Sequence, residues 1–292
     1  MNLKNKIESG KFVLMAEMFP PKGTDVTLMV SNALQVKGRV DAFMIPDMTN
    51  GIMHMSAFYS ALILQTKQLE TLVQIGCRDR NRLAIQADLL GASACGIHNL
   101  VAVNGEDPSF GDHHQAAAVY DLDHLDLLYG IQCLQRGRDM AGGALEGAPQ
   151  FLAGSTINPC LKGQALELEL EKMNRRIEAG ARFFITPPVF DLTAIDPFLT
   201  RIDHRKTHII PTVLLLKSLG MARYIERNQK HIRIPAPLIK RIQAATDKPR
   251  ECIRIAGELI STFRDERFGG VAISTIGWEH RLPELLDRVA AH

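Results

Sequence analysis

No cysteine pair in this chain stands at redox or metal-binding spacing. Its five cysteines, Cys77, Cys95, Cys133, Cys160 and Cys252, are scattered and form no CxxC. That excludes a disulfide framework and a self-contained zinc or iron–sulfur site, and it suits a reduced compartment. No metal ligand set is expected. His113 and His114 beside Asp112 are neighbours on a loop, and such neighbours rarely converge on one ion. Charge of one sign is also lacking: 34 basic against 32 acidic residues leave a net charge of +2. With no Lys/Arg run interleaved with aromatics, nucleic acid is not an expected partner. The longest apolar stretch, around 209–216, is far short of a membrane span and contains Pro211. The opening MNLKNKIESGKF has no apolar core of an export signal, so a cytoplasmic location is expected. GxGxxG, HExxH and a Ser-His-Asp pattern are missing too, which argues against a Rossmann site or a hydrolase.

What is present is a regular alternation. Short runs rich in Val, Ile, Leu and Phe fall at 13–18, 40–45, 71–75, 100–103, 151–154, 182–186, 208–214 and 270–274. They lack strict polar alternation, as expected of parallel strands buried on both faces. Helical spacing lies between them. From 164 to 179, Leu166, Leu170, Met173 and Ile177 share one face, charged residues hold the other, and Gly180 supplies the stop. A second helix is expected from an Asp79 cap to Leu90, ended by Gly91. Eight strands alternating with helices mean an α/β fold, closed as a (β/α)8 TIM barrel or open and doubly wound. The count and even spacing favour the barrel, as one domain over 1–292. The stretch 225–268 is too long for one crossover. Extra helices are expected there before the last strand, with Pro235, Pro237 and Pro249 at their starts.

In a barrel the residues after each strand converge on one mouth. Glu17 ends the first run and is followed by Phe19, Pro20 and Pro21; prolines cannot continue a ladder. Asp47 and Thr49 follow the second run, Gln74 and Arg78 mark the third, and Asn104, Gly105 and Glu106 follow the fourth. Ser155 and Thr156 follow the fifth, Thr186 and Pro187 end the sixth, and Lys217 follows the seventh. This set is rich in hydrogen-bonding groups and reads as a cofactor or substrate pocket. In the loop NGEDPSFGD a glycine permits close backbone approach to a ligand. The plain alternatives are a solvated acid at a strand end and an ordinary polar loop.

These segments resemble the methylenetetrahydrofolate reductase family, flavin-dependent (β/α)8 enzymes. AEMFPPK is similar to the family's FEFFPP segment, NGEDP to its RGDPP-like loop, and RRIEAGARFFITPPVFD to its KVEAGADFIITQFFFD type. HIRIP fits in order as well. QIGCRDRN, FGDHH, LLLKSLGMARYI and ISTIGWE further resemble the short reductases of anaerobic one-carbon pathways, which work beside a small metal-binding subunit. The resemblance implies reduction of 5,10-methylenetetrahydrofolate to 5-methyltetrahydrofolate by a flavin, FAD or FMN. It implies a folate substrate, a small metal-binding or electron-transfer partner and a possible homo-oligomer.

By position, Glu17 matches the family's proton donor, and Glu106 an aspartate beside the flavin pyrimidine edge; both are the implied catalytic groups. The implied cofactor contacts are Thr49, Gln74, Asn104, Gly105, Glu106 and Ser155, together with Lys172, Arg175 and Arg176 for the ribityl and phosphate end. The implied substrate contacts are Phe19, Thr186, Phe190 and Lys217. Three positions depart from the pattern. Asn104 and Glu106 stand where Arg and Asp are usual, and Pro187 replaces a glutamine that contacts folate; a proline cannot donate to a pterin carbonyl. Two other readings stay open, a flavin-free pterin-binding barrel of the methyltransferase type and a non-catalytic subunit.

Overall fold

Parallel strands pair in chain order and the eighth returns to the first, closing a barrel. The structure is a computed structural model, and it describes residues 2–202, 207–229 and 232–290. His231, which opens the HIRIP segment, lies outside them. The chain runs α1 (Leu3–Glu8), β1 (Val13–Glu17), α2 (Thr27–Gln35), β2 (Ala42–Ile45), α3 (Ala57–Gln65), β3 (Thr71–Gly76), α4 (Arg82–Ala94) and β4 (Asn99–Val103). It continues through α5 (His124–Gln135), β5 (Leu152–Thr156), α6 (Gln164–Glu178), β6 (Phe183–Pro188), α7 (Asp196–Leu199) and β7 (His208–Leu214). The last elements are α8 (Leu219–Asn228), α9 (Ala236–Ala244), α10 (Lys248–Asp265), β8 (Gly270–Ser274) and α11 (Leu282–Ala290).

Side chains alternate across each strand, so every strand feeds two cores. One set faces the lumen: Met15, Met44, Leu72, Val101, Leu152 and Phe183 pack there with Ile210 and Ala272. Leu3 and Ile7 of α1 join the same cluster and stop the N-terminal end of the barrel. The other set, including Ala16, Phe43, Val73 and Leu100, packs outward beneath the helices. Gly154 of β5 explains how the lumen admits a phenylalanine. A Cβ there would lie 2.4 Å from the Phe183 ring, so only glycine leaves the space.

The expected α/β barrel and the extra helices before its last strand are both present. α8, α9 and α10 share a satellite core with Phe190, Leu214 and Leu216. Pro235 caps α9, Pro237 sits in its first turn, and Pro249 does the same for α10. Three expected elements are corrected at their ends. α4 is capped by Asn81, whose side chain accepts from Leu83 and Ala84, because Asp79 is engaged with Arg78. The helix then runs through Gly91 to Ala94. β2 begins at Ala42, since the Asp41 carboxylate takes the Leu14 N–H at 2.8 Å and ties off the ladder. β6 continues past Thr186 to Pro188 with a register shift. Hydroxyls replace the ladder bonds there: Thr212 Oγ1 donates to Thr186 O at 2.6 Å, and Thr186 Oγ1 accepts from Thr212 N–H at 3.3 Å.

Candidate functional site

The alternation that builds the lumen also decides what faces its open, C-terminal end. There a cavity of about 1080 Å³ is floored by Met44, Gln74, Val103 and Thr156, with Glu17 and Ser274 side by side. Its rim is made by Asp47, Thr49 and Asn50 after β2 and by Asn104, Gly105 and Glu106 after β4. Opposite stand Thr186, Pro187, Thr212 and Lys217, and α8 adds a wall bearing Tyr224, Asn228 and Gln229. The volume matches the upper end of ordinary ligand pockets, roughly 300–1,000 Å³.

Glu17 is 7% exposed. Burial pushes its carboxyl pKa up to about 7, the Ser274 hydrogen bond pulls the other way, and the charge of Glu279 adds to the rise. Ser274 Oγ donates to Glu17 Oε2, which leaves Oε1 to carry a proton. No cation pairs with Glu17 among the described residues. Asp47 is the other buried acid of the cavity, and it has a different setting. Arg80 forms an ion pair with it and Gly76 N–H donates to it at 3.0 Å. Burial raises its pKa against the attraction of Arg80. Asp47 is thus a strut between the tips of β2 and β3, while Glu17 is the acid free to exchange a proton.

The rim is braced by Arg78, 2% exposed. Its guanidinium donates to Glu106 O at 3.0 Å and to Met48 O at 3.2 Å, and it pairs with Asp79 at 2.7 Å. Two rim loops are thereby held by one side chain. Glu106 keeps its carboxylate on the cavity side, where Oε2 accepts from Asn50 N–H at 3.2 Å. Asn104 Oδ1 accepts from His124 N–H at 3.2 Å, so its amide N–H₂ remains for a ligand.

Of the residues singled out in the sequence, Glu17, Asp47, Thr49, Gln74, Asn104, Gly105, Glu106, Thr156, Thr186, Pro187 and Lys217 meet at this cavity. The others do not line it. Ser155 sits one position out of phase with the lumen; it is fully buried, with Oγ donating to Ala102 O at 3.4 Å, and Thr156 faces the cavity instead. Phe19 stacks obliquely near His54 at 6.4 Å between centroids. Phe190, 5% exposed, belongs to the satellite core. Lys172 and Arg175 are exposed on α6. Arg176 is buried and donates to Thr156 O at 2.8 Å, with His124 Nε2 at 2.7 Å. Burial and the Arg176 charge push His124 down to about 4, so a neutral imidazole accepts that bond. Sequence reasoning missed Ser274, Thr212 and the α8 wall. Ser274 and Thr212 were findable from strand parity; the wall follows from packing between α8 and β7 and has no local signal.

Among the described residues, no group of three or more His, Cys, Asp or Glu could hold a metal ion, and no helix is long and apolar enough to cross a membrane. Residues 2–287 match the family model described as methylenetetrahydrofolate reductase. A curated relative, methylenetetrahydrofolate reductase 2 of Schizosaccharomyces pombe, is 22% identical over 256 residues, covering 84% of this chain. The chain spans 39% of that relative's length. Among solved structures, one similar chain is an uncharacterized protein from Clostridium thermocellum that binds two copies of 5-methyl-5,6,7,8-tetrahydrofolic acid. It aligns with a TM-score of 0.62 and 16% identity over 98% of this chain and 97% of that one. EDTA monooxygenase (EmoA) from Chelativorans sp. BNC1 aligns with a TM-score of 0.53 and 10% identity, covering 96% and 93%. At these identities the structural likenesses speak for the fold alone.

Proposed function

The chain belongs to the methylenetetrahydrofolate reductase family, and from that premise we propose that it reduces 5,10-methylenetetrahydrofolate to 5-methyltetrahydrofolate with a bound flavin. The observation that carries the reading is Glu17: a buried carboxyl at the end of β1, on the cavity, with a pKa of about 7. Opening a methylene bridge between two nitrogens requires a proton on the leaving nitrogen, and an acid tuned near the working pH supplies it best.

The residues present suit the ring of a flavin. Gln74, the free amide of Asn104 and the Gly105 backbone offer polar groups for its amide edge, and Met44 and Val103 give apolar contact. Arg176, buried behind the cavity wall, steadies Thr156 by donating to its carbonyl at 2.8 Å. When bound, the flavin supplies the hydride chemistry. The chain's own part is to position and to hold a proton. Glu17 keeps one at Oε1 while Ser274 fixes the other oxygen, and the carboxylate of Glu106 on the rim favours a cationic folate. Arg78 keeps the two rim loops in register so that these groups stay aligned.

Folate as the substrate is in line with the Clostridium thermocellum neighbour, which binds the methyl-folate this reaction would release. The finer placement beside short reductases that take electrons through a small metal-binding subunit rests on the QIGCRDRN, FGDHH and ISTIGWE segments. One observation favours a second reading, a flavin-free folate-binding barrel: Lys172 and Arg175, expected at the phosphate end, face away from the cavity as exposed residues. The visible absorbance of the purified protein decides between them. A visible absorbance band from a bound flavin supports the reductase. A colourless protein that binds methyl-folate supports the second reading.

A further inference from the structure

Two carboxyl groups flank one strand end, Glu17 on the cavity side and Glu279 off the cavity. Ser274 and Thr275 are consecutive; the first hydroxyl donates to Glu17 and the second donates to Glu279 Oε1 at 3.0 Å. Glu279 is 8% exposed, in the short turn Glu279–Arg281 before α11, and does not line the cavity. The same Oε1 also accepts Gly277 N–H at 3.1 Å, so it takes two donors, as a carboxylate does. Between the two anchored residues stands Ile276, a β-branched residue at φ 47°. That backbone region is costly for such a side chain and persists only where neighbours hold it. Lys217, in the loop after β7, grips the Ile276 carbonyl, while Glu279 grips the next N–H.

We propose that Glu279 is a positioning residue for Glu17: its buried charge, and the loop it ties to β8, hold the cavity acid in its proton-bearing form beside Ser274. This rests on the reading of Glu17 as the proton donor. The charged surroundings leave Glu279 the one like charge acting on Glu17 from behind. Asp47 is paired with Arg80, and Glu106 stands on the far rim beside Arg78. Lys217 is committed to a backbone carbonyl. Around Glu279 itself, α2 packs on the turn and carries no charged residue between Thr27 and Gln35. Arg281 is engaged with Glu284 at 3.0 Å and with the Trp278 ring, and His280 lies near that same ring. A like charge held in low-dielectric surroundings disfavours a second ionisation nearby. Burial is the first cause of the raised Glu17 pKa, and the charge of Glu279 is a smaller one that acts in the same direction.

The test is an infrared titration of the full chain without flavin or folate. The protonated carboxyl stretch of Glu17, assigned by its loss in Glu17→Gln, is followed against pH. In Glu279→Gln the amide oxygen still accepts from Thr275 and Gly277 but the charge is gone, and the midpoint should fall by a resolvable fraction of a unit. Glu279→Asp keeps the charge and should titrate close to the parent, separating charge from loop packing. An unchanged midpoint in Glu279→Gln, or equal displacement in both variants, overturns the proposal. Failure of the protein to reduce methylene-folate would sink the functional reading and leave this titration as the judge of Glu279.

Discussion

Ser274 Oγ lies 2.5 Å from Glu17 Oε2, joining residues 257 positions apart. The contact exists because β8 closes on β1 in the register Ala16↔Ile273, which sets the next residue of each strand side by side. The candidate acid is therefore completed by barrel closure itself. Local unfolding of the last strand would expose Glu17 and remove its orienting hydroxyl in one step.

That burial has a stability signature. An acid whose folded pKa is about 7 against an ordinary 4.5 binds more protons folded than unfolded, so stability falls as pH rises from about 4.5 to about 7. Glu17→Gln should abolish this loss. In urea unfolding, the variant should gain on the parent between those pH values, by at most roughly 3 kcal/mol above pH 7. Parallel curves for parent and variant would mean that Glu17 titrates normally.

Arg78 should matter for both loops it holds. Arg78→Met leaves the Glu106 and Met48 carbonyls without their donor and Asp79 unpaired, at a cost of about 2–4 kcal/mol for a buried charged hydrogen-bond network. Ligand affinity should fall as well, because the rim loops lose register. A variant with parental stability and parental folate affinity would remove Arg78 from the account.

Gly154→Ala tests the packing of the lumen. The added methyl meets the Phe183 ring, and overpacking of this kind costs about 1–3 kcal/mol. The double change Gly154→Ala with Phe183→Leu should recover part of that loss. No recovery would show that the two residues do not share the space.

The fold was legible because its signals are local. Runs of apolar residues and helical faces such as Leu166, Leu170 and Met173 mark the eight units, and prolines mark the starts of α9 and α10. The site was legible in part. Position after a strand picks out Glu17, Gln74 and Glu106, but which neighbour faces inward depends on strand parity, and that separates Thr156 from Ser155. The Asp79 cap failed for a local reason, since the adjacent Arg78 recruits that side chain and leaves Asn81 to cap α4. Phe190 reads as an aromatic ligand contact in the sequence, and only the packing of α8 to α10 shows what it covers.

The proposed electron route has its own assay. Anaerobic mixing with excess NADH or NADPH should bleach the flavin slowly or not at all, and a low-potential one-electron donor should reduce it fully. Rapid, saturable bleaching by either nucleotide would instead assign direct hydride uptake to this chain.

The most direct test of the central claim is the folate half-reaction followed by stopped flow. The chain, reduced anaerobically, is mixed with 5,10-methylenetetrahydrofolate while flavin reoxidation is recorded for the parent and for Glu17→Gln. The account predicts fast reoxidation with formation of 5-methyltetrahydrofolate in the parent. It predicts a rate about 10²–10⁴-fold lower in the variant, the worth of a positioned general acid, with flavin reduction left intact. Equal rates in the two proteins, or no flavin to reoxidise, would contradict it.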